Sequence, residues 1–180
     1  MAPRARIAAA AVRVGGTPTL RTPEAVRAAL GSSHLPGAAE PPARPDAIPA
    51  GAWRRMSHLS RLVAVVALEA LDRAGAAAGP HEALFTAWGT AFGEMTTTDG
   101  LLTRLVAEGA DKVSPMAFQT SLFGTPLAHL SLVLGLRGPS ETVSAGGASA
   151  AVAALRGVDV ARRGRPALVL AGYELAAMVR

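Results

Sequence analysis

The stretch ETVSAGGASAAVAALRGVDVARRG, Glu141 to Gly164, decides how this chain folds. ETVSA has strand character, and Gly146 and Gly147 interrupt it. An alanine-rich helix follows over 148–163, with Ala151, Ala154, Leu155, Val158 and Ala161 as its apolar face and Arg156, Asp159 and Arg163 as its polar one. PALVLAGYE, from Pro166, reads as a second strand. Strand, helix and strand joined by short links make a parallel βαβ unit with a right-handed crossover. A sharp strand-to-helix turn is also how many enzymes hold a nucleophile, because a residue there sits over the positive end of the helix dipole. Here the turn holds two glycines, and the 180-residue chain has no cysteine.

Outward from this unit the pattern stays layered. RIAAAAVRV, over 6–14, is a plausible first strand. Thr22, Pro23 and Glu24 open a short helix as cap, first-turn proline and early acid, and Gly31 closes it. The five prolines in 35–50 predict an extended surface loop. Met56, Leu59, Val63, Val66 and Ala70 recur at helical spacing up to Gly75, and the middle of that helix is apolar all round, so it is expected to be buried on more than one side. ALFTAWGTAFGE, from Ala83, is a buried strand that breaks at Gly89 and Gly93. TTTDGLLTRLVAEGAD follows as a helix with a threonine cap and Leu101, Leu102, Leu105 and Val106 as its apolar side. A helix over about 120–134 contains Pro126, which kinks it or begins its second part, and a turn at Arg137-Gly138-Pro139 leads into the final unit. The order predicts a single α/β domain over 1–180.

Composition excludes several function classes. Half the residues are hydrophobic and 17% are charged, which is incompatible with a disordered chain. The net charge of +5 rests on 17 scattered arginines and Lys112, without the aromatic interleaving of a nucleic-acid surface. Zero cysteines exclude disulfides, thiolate catalysis and cysteine-based metal sites, and His34, His58, His81 and His129 lack paired ligand spacing. The longest apolar run, LVAVVALEAL from Leu62, contains Glu69 and is too short to span a membrane. No metal, cofactor, nucleic acid or membrane span is expected, and the expected location is the cytoplasm.

The segments RRMSHLSRLVAVVALEAL, GTAFGE, SPMAFQTSLFGTPLAHLSLVLGLRGPSETVSAGGASAAVAAL and ALVLAGYE resemble, in order and spacing over 54–174, the N-terminal half of a beta-ketoacyl synthase. The resemblance is to the subfamily that includes chain length factors of aryl polyene and related pathways. It implies the N-terminal half of a thiolase-like fold, with the C-terminal half absent. The family's acyl-accepting cysteine falls on Gly147, and its two catalytic histidines belong to that second half. Condensation by this chain alone is therefore not expected, since decarboxylation and condensation need donors for the developing negative charge.

The resemblance implies a non-catalytic subunit that forms a heterodimer with a cognate active ketosynthase and meets an acyl carrier protein, in fatty acid- or polyketide-like biosynthesis. Its implied interface candidates are Ser114, Pro115, Gln119, His129, Thr142, Val143 and Ser144. Met116, Ala117 and Phe118 fall in the segment that reaches across the family's dimer, and Phe92 falls where the family gates its own acyl pocket, which a Phe would fill. For His129, sequence alone suggests a packed or interface histidine, and for both Phe residues core packing is the alternative. Gly146 and Gly147 are expected to permit close backbone approach behind a retained elbow. Two other readings stand: a truncated or decayed ketosynthase gene product, and a serine-dependent acyl hydrolase or transferase using Ser149 or Ser144. Against the latter, GASAA lacks the final glycine of a G-x-S-x-G elbow, and no histidine follows position 129.

Overall fold

Phe85–Gly89 (β1) is buried along its whole length, as a strand covered on both faces must be. Because successive side chains of a strand point to opposite faces, Leu84 and Trp88 join one apolar cluster while Phe85 and Ala87 join another. Two parallel strands flank β1: Ser140–Val143 (β2) on one side, with Trp88 opposite Thr142, and Ala167–Ala171 (β3) on the other, with Trp88 opposite Leu170. The sheet order is therefore β2-β1-β3. The computed structural model describes residues 8, 9, 11, 24, 25, 28, 42–76 and 81–172. The strand predicted over 6–14, most of the helix predicted from Thr22, the first part of the proline-rich loop and the last residues of the final predicted strand lie outside the described residues.

On the Trp88 face lie helices Ala50–Arg55 (α1), His58–Arg73 (α2) and Thr125–Leu134 (α5). Ser57 caps α2, its hydroxyl accepting from the Ser60 amide at 3.0 Å. The predicted all-round burial holds, because no residue from Met56 to Leu71 is exposed. The predicted face is partly shifted. Leu59, Val63, Ala67 and Leu71 face the core, while Val66 and Ala70 are only half-buried. The proline-rich segment departs from a pure surface loop: Ile48 is fully buried, and its carbonyl accepts from the Arg44 guanidinium at 2.6 Å. Pro126 sits in the first turn of α5, so it begins a second helix. The first helix of that pair is Pro115–Thr120 (α4).

The other face of the sheet carries Ser149–Arg162 (α6). Its buried side is Ser149, Ala153 and Gly157. This overturns the predicted apolar face, since Ala151, Ala154 and Leu155 are exposed, Leu155 by 68%. The reason is close approach, which selects for small side chains over hydrophobic ones. A Cβ on Gly89 would stand 2.5 Å from the Ser149 carbonyl oxygen, and one on Gly157 would fall inside the Val169 side chain. Glu94 rather than a threonine holds the N-cap position of Met95–Glu108 (α3), without a side-chain capping bond, and the helix buries no residue. Its predicted apolar side is open, with Leu102 51% and Val106 87% exposed. Among the described residues, no helix is long and apolar enough to cross a membrane.

A buried polar network joins three elements on the Trp88 side. Glu94 is fully buried, and its Oε1 accepts from the Ser57 hydroxyl at 2.5 Å and the Ser60 hydroxyl at 3.0 Å. With the Ser60 proton directed at Glu94, the His129 Nδ1–H donates to Ser60 Oγ at 3.2 Å. Burial first, and the Arg55 charge second, hold the His129 pKa below its ordinary value.

Gly157→Ala should therefore destabilise the protein by about 1–3 kcal/mol through overpacking, despite alanine's better helix propensity. Urea unfolding should show Val169→Ala restoring most of that loss in the double variant. A second expectation concerns pH. The folded state disfavours His129 protonation, so the unfolded chain binds more protons in this window, and stability should fall as pH drops through the ordinary histidine value of 6.5. Thermal unfolding of His129→Gln should show a flatter dependence between about pH 7 and pH 5.

Candidate functional site

Parallel strands bring their C-terminal ends to one side of a sheet, and ligands of α/β folds gather there. At the end of β1 lies the loop 90–94, carrying Phe92, and at the end of β2 lies the elbow 144–148. A third segment, the loop 121–124 between α4 and α5, closes over them. The Trp88 indole N–H donates to the Phe123 carbonyl at 3.0 Å, and a Cβ on Gly93 would stand 2.6 Å from the Phe123 ring. A Cβ on Gly124 would lie 3.6 Å from Thr142 Oγ1, so the same loop also reaches β2.

The elbow holds itself together. The Ala145 amide donates to Ser149 Oγ at 2.9 Å, and that hydroxyl donates in turn to the Gly146 carbonyl at 2.6 Å. Backbone bonds from Ala148 to Ala145 and from Ser149 to Gly146, both 3.1 Å, tighten the same turn. Gly146 has φ +55°, the left-handed region in which side chains are strained. The expected close backbone approach is not what the glycines serve: a Cβ at Gly146 or Gly147 would meet nothing within 4 Å. Gly147 has neither a positive φ nor a close neighbour, so this geometry would accept a cysteine there.

Neither serine is placed as a nucleophile. Ser149 is 3% exposed and its hydroxyl is engaged with backbone on both sides. Ser144 is exposed, and its side chain has no hydrogen bond among the described residues. A serine nucleophile needs a base within hydrogen-bond reach, and no such base stands at either one among the described residues.

The other candidates divide into groups. Ser114, Pro115, Gln119, Thr142 and Ser144 are exposed; Val143 and His129 are half-buried. Phe92 is 43% exposed, Met116 54% and Phe118 58%, so these side chains are not core packing and Phe92 is not enclosed. Met116, Ala117 and Phe118 lie on α4, which packs on α3. Phe123, 40% exposed, belongs to the same end of the sheet as Phe92 and was not legible in advance. Only the fold shows that its carbonyl anchors the Trp88 indole. One surface ion pair braces the approach to the elbow: the Arg156 guanidinium of α6 holds both Glu141 oxygens of β2 at 2.9–3.2 Å.

Known structures share this architecture. A ketosynthase (ApeO) in complex with its chain length factor (ApeC) from Xenorhabdus doucetiae matches with a TM-score of 0.64 and 22% identity, over 93% of this chain and 66% of that one. The ishigamide ketosynthase/chain length factor matches with a TM-score of 0.61 and 19% identity, over 72% of this chain and 37% of that one. A type II PKS ketosynthase (AntDE) bound to the hexaketide, in complex with its acyl carrier protein (AntF), matches with a TM-score of 0.72 and 17% identity, over 99% of this chain and 53% of that one. This chain thus spans 37–66% of the length of these structures. No curated protein matches the sequence. The fold is thiolase-like, and residues 16–176 match the family model of the beta-ketoacyl synthase N-terminal domain. With that match covering most of its length, and with the strand, elbow and helix in their family order, the chain belongs to the beta-ketoacyl synthase N-terminal domain family.

Proposed function

We propose that this chain is a non-catalytic, ketosynthase-like partner subunit of the chain length factor type. It would pair with an active ketosynthase in polyketide- or fatty acid-like biosynthesis of the aryl polyene kind, in the cytoplasm, with an acyl carrier protein delivering the growing chain. The observation that carries this reading is the elbow. Its hydrogen bonds and left-handed turn are intact, yet the nucleophile position is Gly147, with open space where a thiol would stand. A side chain is missing there although nothing steric forbids one, so it is the chemistry that has been given up. Structural relatives that are themselves complexes of a ketosynthase with a chain length factor support the same reading.

The surface supports it too. The outer side of α6 exposes Ala151, Ala154 and Leu155, and α4 exposes Met116 and Phe118. Apolar surface of this kind marks an interface. In the proposed heterodimer, Met116, Ala117 and Phe118 cross to the partner and meet the far end of its acyl tunnel, while Thr142, Val143 and Ser144 line the shared strand. Phe92 fills the entrance to this chain's own unused pocket.

The subunit reading is tested first by acyl loading. In a purified complex incubated with radiolabelled acyl carrier protein, label should appear on the partner alone; stable label on this chain would overturn the reading. The tunnel role is tested by product length. Each further methylene buried gains about 0.8 kcal/mol, so a side chain that denies that space stops growth. Phe118→Ala should leave the partner's rate largely intact and lengthen carrier-bound products, and Ala117→Phe should shorten them, both read by mass spectrometry. Unchanged lengths for both variants, in complexes shown to be intact by a dissociation measurement, would leave this chain as a scaffold only.

A further inference from the structure

Helix α3 buries none of its residues, yet one side of it is not bare surface. Where α4 folds back against it, the two helices flank an open groove of about 330 Å³, at the small end of the range of small-molecule sites. Its apolar lining comes from Leu101 of α3, Val113 of the linking segment and Ala117 of α4, all half-buried. Its polar lining residues are Thr96, Thr97, Ser114 and Arg104, the last the one ionisable group of the lining.

These polar groups are unspent. The neighbouring hydroxyls of Thr98 and Thr120 donate to the carbonyls of Glu94 and Met116, both at 2.9 Å. By contrast, the side chains of Thr96 and Thr97 make no hydrogen bond among the described residues, and Ser114 occupies the cap position of α4 without its hydroxyl capping it. Arg104 makes no ion pair or hydrogen bond among the described residues, even with Glu108 one turn along the same helix. A guanidinium with hydroxyls beside it is a receptor for a planar anion, which it can hold through two parallel hydrogen bonds. A single cation matches a monoanion, whereas a phosphate dianion calls for more positive charge than the cleft offers. The apolar walls call for a hydrocarbon body behind that head group.

We propose that the cleft between α3 and α4 binds a small amphipathic monocarboxylate, its head group on Arg104 and its apolar body against Leu101, Val113 and Ala117. The cleft is lined by this chain's own residues, but Ser114 and Ala117 also lie in the segment proposed above to meet a ketosynthase, so pairing would cover part of it and binding is measured on the unpaired chain.

Isothermal titration of the full chain with octanoate tests this. Saturable one-to-one binding is expected, weakened about tenfold or more by Arg104→Gln, since a charge-assisted pair is lost. Octan-1-ol should bind more weakly and be indifferent to that substitution. Gly100 lines the cleft, and a Cβ built on it meets nothing within 4 Å. Gly100→Leu should therefore fill the space and abolish octanoate binding, while improved helix propensity keeps the melting temperature equal or higher. Octanoate binding that is absent at about millimolar concentration, or unchanged in either variant, would overturn the proposal. Tighter binding of octyl phosphate than of octanoate would overturn the choice of carboxylate.

Discussion

The closeness of α6 to the sheet is the constraint from which the rest of the molecule follows. Two glycines define that seam: Gly89 on the central strand lies against the Ser149 carbonyl, and Gly157 on the helix lies against the Val169 side chain. At this separation no ordinary side chain fits, so shape rather than hydrophobicity selects the residues. The seam buries β1 on its second face and places the first turn of α6 directly over the C-terminal end of the sheet. The elbow stands where it does because the helix behind it cannot slide. The opposite layer is pinned by different means, with the Trp88 indole reaching the Phe123 carbonyl and the Ser57–Ser60–Glu94–His129 network tying α2, the β1–α3 loop and α5.

The two layers thus differ in physical character. On the Trp88 side, large apolar groups such as Leu59, Val63, Leu127 and Leu130 pack around a buried polar knot. On the α6 side the cluster is small: Phe85, Ala87 and Ala153, with Val143, Val160 and Ala167 around them. A helix attached through so few apolar groups on one side, with Leu155 open on the other, is held as much by backbone fit as by burial. That is why its exposed side is informative about assembly, whereas the polar knot is informative about stability.

Much of this was legible in the residues. The strand–elbow–helix–strand unit follows from the glycine break and the alanine-rich run, whereas Pro126 allowed either a kink or a new helix and only the structure shows the second. The family assignment rested on ordered segments and is confirmed by the match over 16–176. Helix faces were less legible. Counting apolar residues assigned Ala151, Ala154 and Leu155 of α6 to the core, but the true inner face is Ser149, Ala153 and Gly157, which a hydrophobicity pattern ranks low. In α3 the apolar side is real and simply uncovered. Threonine chemistry suggested its cap, yet the buried Glu94 occupies that position because its carboxylate is committed to α2. For the site, the position of the elbow glycines at the end of β2 could be read from the glycine break. The cleft at Arg104 could not, because its lining comes from residues 96–117 and is assembled only when α4 turns back on α3.

The elbow also says what kind of information position 147 carries. Its shape is maintained by the Ala145 amide, the Ser149 hydroxyl and the Gly146 carbonyl, none of which involves the side chain of the next residue. Structure and identity are therefore decoupled at that one place. A side chain at 147 would meet no neighbour within 4 Å and needs no left-handed backbone, so the fold itself places little demand on that residue. In most of a protein one side chain answers to packing and to chemistry at once; at Gly147 packing makes no demand on it.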